Sequence, residues 1–203
     1  MKAGTRLGLI LVGAIALGGA LAVFSLVRHG VSARDEPTAL EAFIARRVRH
    51  WAVPGRAREM PNPVALTDGV LAEGRAHFAD HCAICHGNDG RGQTPIGRNL
   101  YPKAPDMSLA ETQSLSDGEL FYIIHHGVRL TGMPAWGGDD PDRDLDSWKL
   151  VHFIRHLPNI TAAELEEMRA LNPKTRKEFE EEEMVRKFLG NKGGVPTSPE
   201  HKH

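Results

Sequence analysis

Cysteine is scarce in this sequence, and the scarcity limits the kinds of site that the chain can build. Only two of its 203 residues are cysteine. A closed zinc site normally needs a second pair of ligands at zinc spacing, and the chain has no further cysteine to supply one. A zinc site is therefore disfavoured, and a single disulfide is the remaining structural use of the two thiols.

An excess of charge is also missing. The chain carries 25 basic and 26 acidic residues, for a formal net charge of −1. This balance gives no overall signature of nucleic-acid or polyanion binding, and we expect no nucleic-acid partner. Aromatic residues make up 6% and charged residues 25%, which is ordinary for a soluble domain, and the length suffices for one domain with appended segments.

One stretch near the N-terminus has no charge at all. Leu7 to Val27 contains 21 residues without a charged side chain, and it follows a short basic start with Lys2 and Arg6. About 20 apolar residues span a bilayer as a helix, whereas the apolar region of a secretory signal has about 7–15. We therefore predict an uncleaved transmembrane signal anchor over residues 1–27. The alternative is a long signal peptide cut near Val31-Ser32-Ala33.

Both cysteines belong to the motif Cys82-Ala83-Ile84-Cys85-His86. Cys-x-x-Cys-His is the attachment signature of c-type haem. Residues three apart share a face of a helical turn, so the two thiols can add to the two vinyl groups of one haem. The following imidazole then lies where it can bind the iron. The motif predicts one covalent haem c held by Cys82, Cys85 and His86.

The residues around this motif resemble a known family. The stretch from Ala79 to Gly92 is similar to the haem-attachment segment of bacterial monohaem class I cytochromes c, and the likeness extends from Gly69 to Pro158. The resemblance implies an all-α class I cytochrome c fold around one covalent haem. It implies a first and a last helix that cross at a glycine, with matching residues at Gly74, Phe78, Leu150 and Phe153. It also implies haem attachment on the periplasmic face of a bacterial inner membrane, with the N-terminus cytoplasmic.

The same resemblance implies a sixth iron ligand. Thr131-Gly132-Met133-Pro134-Ala135-Trp136 is similar to the methionine-ligand loop of the family, so His86 and Met133 are the expected metal ligands. A proline carbonyl usually fixes the histidine ring, and Pro95 is the expected donor of that carbonyl. Met107 is the main rival of Met133, since it also lies within the likeness. The other competing side chains are expected to be core or surface residues: Met60, Met168, Met184, His81, His125, His126, His152 and His156.

Residues 28–66 form a basic segment before the haem domain. An amphipathic helix is predicted over 38–52, and Pro54, Pro61 and Pro63 then predict an extended linker. The helix either lies on anionic headgroups or a partner, or packs its apolar stripe on the haem domain. We expect the second arrangement, because such a stripe is ordinary in a surface helix. Seven arginines fall in this part of the chain: Arg28, Arg34, Arg46, Arg47, Arg49, Arg56 and Arg58.

The haem domain is predicted to occupy residues 67–158 and an appended helical extension residues 159–203. Local signals predict helices starting near Thr67 and spanning 117–126, 145–157 and 162–171. Residues 174–189 mix charges of both signs, which is typical of a solvated face. The segment from Gly190 onward is expected to be mobile, and its His201 and His203 are candidate metal ligands.

These features predict an electron-transfer protein and not an enzyme. With both axial positions filled, the iron has no open site, and the sequence shows no nucleophile–base pair, so no small-molecule substrate is expected. We predict outer-sphere transfer of single electrons, by a carrier or by the subunit that admits electrons to a respiratory or dehydrogenase complex. The expected partners are the membrane, through the N-terminal helix, and a redox protein. Two alternatives stay open: a haem sensor or gas-binding protein with a labile methionine, and metal handling through the histidine-containing tail.

Overall fold

The computed structural model describes residues 3–30, 32–174 and 176–190, and within them it contains helices and no strand. Lys2, Val31 and the tail with His201 and His203 lie outside the described residues. The helices, in chain order, are α1 (Ala3–His29), α2 (Ala39–Ala52), α3 (Gly55–Arg58), α4 (Asp68–His77), α5 (Ala83–His86), α6 (Ala110–Gln113), α7 (Asp117–His126), α8 (Leu145–His156), α9 (Ala162–Leu171) and α10 (Arg176–Gly190).

The predicted helix boundaries are confirmed where the local caps define them. Thr67 caps α4 by accepting a hydrogen bond from the Val70 amide. Ser116 and Thr161 each form a capping box at the start of α7 and α9. A capping box satisfies two free backbone donors at once, which is why the spacing alone locates these helix starts.

The core is centred on the crossing of α4 and α8, as the resemblance implied. A Cβ at Gly74 would overlap the backbone carbonyl of Lys149, so only glycine lets the two helices approach this closely. Phe78 and Phe153 pack beside the crossing with ring centroids 5.0 Å apart, and Leu150 is buried next to them. This crossing fixes the direction in which α4 delivers the cysteine motif.

Helix α7 is fastened to α8 by stacking and by one arginine. The rings of Phe121 and Trp148 stack with centroids 4.1 Å apart. Arg155 of α8 donates to Asp117 Oδ1 at 2.8 and 2.9 Å and to the carbonyl oxygens of Gln113 and Leu115. A charge-assisted bond to the first residue of α7 holds the two helices in register, so the loop between them starts and ends at fixed points.

Helix α9 packs on the side of the haem domain that carries α4. Glu164 Oε1 accepts from Arg75 of α4 at 3.1 Å and lies 2.9 Å from Nε2 of His156. Met168 is fully buried, and Asn172 Nδ2 donates to the Ala79 carbonyl at 2.8 Å. The appended helix therefore supports the backbone just before the cysteine motif. Helix α10 is exposed and carries ion pairs one turn apart, such as Arg176 with Glu180.

The apolar stripe of α2 does not pack on the haem domain, so that expectation is wrong. No residue of α2 is buried. The domain instead contacts the helix from the opposite side, through the segment that follows it and through His50. The proline segment is extended but lies on the domain: Asn62 Nδ2 donates to the Trp148 carbonyl, and His152 Nε2 lies 2.7 Å from the Val64 carbonyl.

Candidate haem site

The cysteine motif lies at the end of a continuous helical run. Helix α4 passes into a π-helical turn, Phe78–Cys82, and then into α5, Ala83–His86. Turns of this kind are rare in proteins, and those that do occur are often found at functional sites. The extra residue changes the direction of the side chains that follow. Ala79 and Ala83 face the core and are buried, while Cys82 and Cys85 are partly exposed free thiols. The turn thus presents both sulfurs at the edge of the domain.

The surroundings of the two sulfurs disfavour a thiolate. Burial, with a smaller effect of Cys85, raises the pKa of Cys82 to about 12, and burial also raises the pKa of Cys85. A redox-active Cys-x-x-Cys pair has the opposite property, a lowered thiol pKa. The environment of this pair therefore argues against a dithiol–disulfide function, and it is compatible with covalent addition of both sulfurs to a prosthetic group.

His86 has the properties of an iron ligand held beside the core. Burial lowers the pKa of His86, and the Pro105 carbonyl opposes this shift without reversing it, so the ring is neutral at pH 7. Its Nδ1 is buried and has no hydrogen-bond partner of normal geometry. The expectation that Pro95 supplies the ring's carbonyl is wrong: the Pro95 oxygen accepts from Asn99 Nδ2 at 2.7 Å, and the backbone carbonyl that acts on the pKa of His86 is that of Pro105.

The loop after His86 is bound to the motif by its own backbone. The Gly92 amide donates to the His86 carbonyl at 2.7 Å, and Thr94 Oγ1 donates to the Cys85 carbonyl at 3.0 Å. The Met107 amide donates to the Gly90 carbonyl at 2.8 Å, which returns the chain to the start of the loop. The carbonyls of the attachment turn are satisfied in this way, and the turn is held rigid on this side.

Met133 lies in the loop between α7 and α8. Its amide donates to Thr131 Oγ1 at 3.1 Å, and its carbonyl accepts from the Val128 amide at 3.1 Å. The amides of Trp136 and Gly137 donate to the carbonyls of Ile124 and His125, both at 3.1 Å. The methionine therefore sits in a turn that is closed by its own hydrogen bonds and tied to the last turn of α7.

A buried histidine joins both ends of this loop. His125 Nδ1 lies 2.6 Å from Asp144 Oδ2, and Asp144 also caps α8 by accepting from the Ser147 amide at 3.0 Å. Burial acts to raise the pKa of Asp144, but the bonds from Ser147 and His125 outweigh it and hold the pKa below its usual value. The carboxylate is thus charged at neutral pH and fixes the loop at the point where α8 begins.

The structure brings the methionine loop to the cysteine motif. The Trp136 ring meets the ring of His81, the residue before Cys82, edge to face with centroids 5.4 Å apart. Leu100, from the loop after His86, lies directly against Gly132. Residues on either side of Met133 therefore contact segments on either side of the attachment turn, as a haem held between the two would require.

The rival ligands have other partners. Met107 and Met168 are buried in the core cluster, and Met184 is exposed on α10. His126 Nδ1 lies 3.1 Å from the Tyr122 carbonyl, while His125, His152 and His156 make the contacts given above. Within the described part of the chain, no three His, Cys, Asp or Glu side chains are grouped closely enough to hold a metal ion by themselves.

A family of known proteins and one curated protein are similar to parts of this chain. Residues 69–154 match the family described as Cytochrome C oxidase, cbb3-type, subunit III. The chain is also 43% identical over 105 residues to a thiosulfate dehydrogenase of Stutzerimonas stutzeri (strain A1501). That match covers 50% of this chain and 32% of the relative, so the chain spans about a third of the length of the curated relative that it matches.

Residues 69–154 are therefore a helical cytochrome c domain, and a domain of this kind implies covalently bound haem c. The residues fit this group: two thiols on one turn, a neutral buried imidazole and an unpaired Nδ1 beside a backbone carbonyl. Sequence reasoning missed Pro105 and the His125–Asp144 pair. The role of Asp144 in the second of these could have been predicted from the sequence. Asp144 stands three residues before Ser147 at the start of a predicted helix, which is the spacing of a helix N-cap and the amide that it accepts from.

Proposed function

We propose that this protein is a membrane-anchored monohaem cytochrome that passes single electrons to or from a redox partner. Cys82 and Cys85 hold the haem by two thioether bonds, and His86 and Met133 are its axial ligands. The observation that carries the proposal is the contact of the Met133 loop with the attachment turn through Trp136 and His81. The bound haem supplies the reversible one-electron couple of its iron.

The chain's own residues define what kind of redox protein this is. His86 and Met133 would both ligate the iron and leave no coordination site for a substrate, and the haem would then exchange electrons with another protein. The neutral thioether favours ferrous iron and raises the potential. The rigid loops on both sides keep the ligands in place, which limits the rearrangement that accompanies each electron transfer.

The anchor is the apolar part of α1. Gly4–Ser25 is a helical stretch of 22 residues, long and apolar enough to cross a membrane, and none of it is buried against the rest of the protein. We propose that it spans the inner membrane once, with the N-terminus in the cytoplasm and the haem domain, residues 67–158, in the periplasm. Residues 28–66 connect the two, and residues 159–203 extend the domain.

Cell fractionation and the N-terminal residue of the mature protein test the anchor. We expect the protein in the membrane fraction after washing with high salt and carbonate, with residues 1–27 still present. A mature protein that begins near Arg34 and is found in the soluble periplasmic fraction would show that α1 is a cleaved signal sequence. The protein would then be a diffusing carrier, and the haem site would be unaffected.

A second candidate function follows from the relative named thiosulfate dehydrogenase, because the match to it covers half of this chain. In this alternative, the chain is the electron-accepting part of an enzyme that oxidises thiosulfate. Anaerobic addition of thiosulfate to the oxidised protein separates the candidates. A carrier or complex subunit stays oxidised until its partner is added, whereas an enzyme turns its own haem ferrous.

A further inference from the structure

Helix α2 presents an apolar face to the outside of the protein. Five large side chains form this face, and each is between 50% and 71% exposed: Leu40, Phe43, Ile44, Val48 and Trp51. They recur at helical spacing and lie on one side of the helix. A contiguous apolar face of this size on a 14-residue helix calls for an apolar environment to cover it.

The haem domain contacts α2 on the side of the helix opposite the apolar face. Ala42 and Arg49 are the half-buried residues of the helix, and they lie opposite the apolar face. His50 Nδ1 lies 2.9 Å from Glu119 Oε1, and Glu119 is buried at the start of α7. These contacts turn the apolar face directly away from the domain.

The segment after α2 locks this orientation. Val53 and Ala57 are buried, and α3 packs on α7 so closely that a Cβ at Gly118 would overlap the Ala57 carbonyl. Helix α2 is therefore attached to the haem domain through His50 and through α3, and it is not a free tether. Whatever covers its apolar face also sets the orientation of the haem domain.

The position of α2 along the chain places it close to the membrane. Helix α1 ends at His29 and α2 begins at Ala39, and ten residue steps reach at most about 36 Å when fully extended. Part of that connection is bound to the haem domain, since Lys103 Nζ donates to the carbonyls of Ala33 and Arg34 at 2.8 and 3.0 Å. The helix cannot move far from the end of the span.

The charges around the apolar face match an anionic lipid surface. Arg47 lies between Phe43 and Leu40 around the helix, with its guanidinium 5.2 Å from the centroid of the Phe43 ring. Arg28 at the end of α1 and Arg34 in the connection add two further positive charges to this part of the chain. Long arginine side chains keep their charge among headgroups while their stems cover apolar surface.

We propose that α2 lies in the membrane surface, with its apolar face in the boundary between headgroups and acyl chains and Arg47 on anionic phospholipids. Such helices sit about 5–10 Å deep in that boundary. This inference rests on the proposed anchoring by α1. Because α2 is locked to α7, the haem domain would then stand on the membrane in one orientation, which fixes the side of the haem edge that an approaching partner meets.

Spin labelling of the full-length protein in phosphatidylcholine vesicles containing phosphatidylglycerol tests the proposal. Haem attachment consumes Cys82 and Cys85, so a cysteine introduced as Ile44→Cys is the only free thiol for the label. Ala45→Cys, on the same helix outside the apolar face, is the matched control, and Val48→Cys is a second test position. Ile15→Cys reports on the span of α1 independently. The readout is the collision rate of each label with oxygen, which concentrates in lipid, relative to a water-soluble nickel complex.

We expect the oxygen-to-nickel ratio to be at least about threefold higher at Ile44 and Val48 than at Ala45. Equal, water-like ratios at all three positions, with a lipid-like ratio at Ile15, would overturn the proposal and leave the anchor intact. A water-like ratio at Ile15 would show that the anchor itself has failed. Shielding of the Ile44 label from both reagents, or dipolar broadening between labels, would assign the face to a protein partner or to a second copy, and would also overturn the proposal.

Discussion

At the scale of single residues, the pair Cys82 and Cys85 determines whether the haem is covalent. Both sulfurs lie on one short turn and neither is engaged in a disulfide. We expect the haem to stay with the chain on a denaturing gel and after acid-acetone extraction, and Cys82→Ala or Cys85→Ala to retain one thioether with a lower yield of mature protein. The double variant should release all haem on extraction. Loss of haem from the unmodified protein would contradict the c-type assignment.

Met133 carries the second residue-scale prediction. Met133→Ala should abolish the weak red absorption band of iron–thioether ligation and lower the reduction potential by on the order of 0.1 V, since axial ligands tune haem potentials over roughly 0.8 V. The matched control is Met107→Leu, which nearly conserves the volume of a buried side chain and should keep the band. A band that survives in Met133→Ala and disappears in Met107→Leu would assign the ligand to Met107.

At the scale of elements, Glu164 fastens α9 to the haem domain. Burial acts to raise its pKa, but hydrogen bonds from Thr161 and His156 outweigh that effect and lower the pKa to about 2. A folded-state pKa below the unfolded value stabilises the protein at high pH. This contribution is fully present above the ordinary pKa of 4.5 and is lost as the pH falls towards 2.

Glu164→Gln should therefore lower the free energy of unfolding by about 2 kcal/mol at pH 7, and by progressively less as the medium becomes acidic. Glu167→Gln is the control: Glu167 also pairs with Arg75, at 2.7 Å, but its side chain is 59% exposed. An exposed pair is worth about 1 kcal/mol or less. Denaturant unfolding at several pH values measures both effects, and equal losses in the two variants at every pH would refute the assigned role of Glu164.

Helix boundaries could be predicted from sequence because the signals that set them are local. Ser116 with Glu119, and Thr161 with Glu164, place a cap and its partner within one turn, and the structure starts α7 and α9 there. The crossing at Gly74 was predicted through the resemblance. Contacts between distant segments could not be predicted in this way. Nothing in the local sequence distinguishes Pro105 from Pro95 as the residue whose carbonyl lies beside His86.

The orientation of α2 shows the same limit more clearly. Its apolar stripe could be read from the spacing of Phe43, Ile44 and Val48, but not the direction in which it points. The burial of Val53 and Ala57 and the close approach at Gly118 decide the direction, and these depend on how α3 meets α7. A periodic pattern identifies a face, whereas only the packing of neighbouring elements identifies what the face contacts.

At the scale of the whole molecule, the haem domain has two ligand-bearing segments held by hydrogen bonds, and it follows an N-terminal helix long and apolar enough to cross a membrane. The family match covers residues 69–154, and the 105 residues shared with the relative named thiosulfate dehydrogenase are 32% of that longer chain. Helices α1 to α3 and α9 to α10 lie outside the matched family domain.

We propose that His86 and Met133 together ligate the haem iron, so that the protein carries electrons without binding a substrate there. The visible spectrum of the reduced full-length protein, recorded before and after addition of carbon monoxide, tests this claim most directly. We expect the visible spectrum of the reduced protein to stay unchanged, because a firmly bound methionine keeps carbon monoxide from the iron. A shift to the spectrum of a carbon monoxide complex would contradict it and would indicate a gas-binding or sensing haem with a labile sixth ligand.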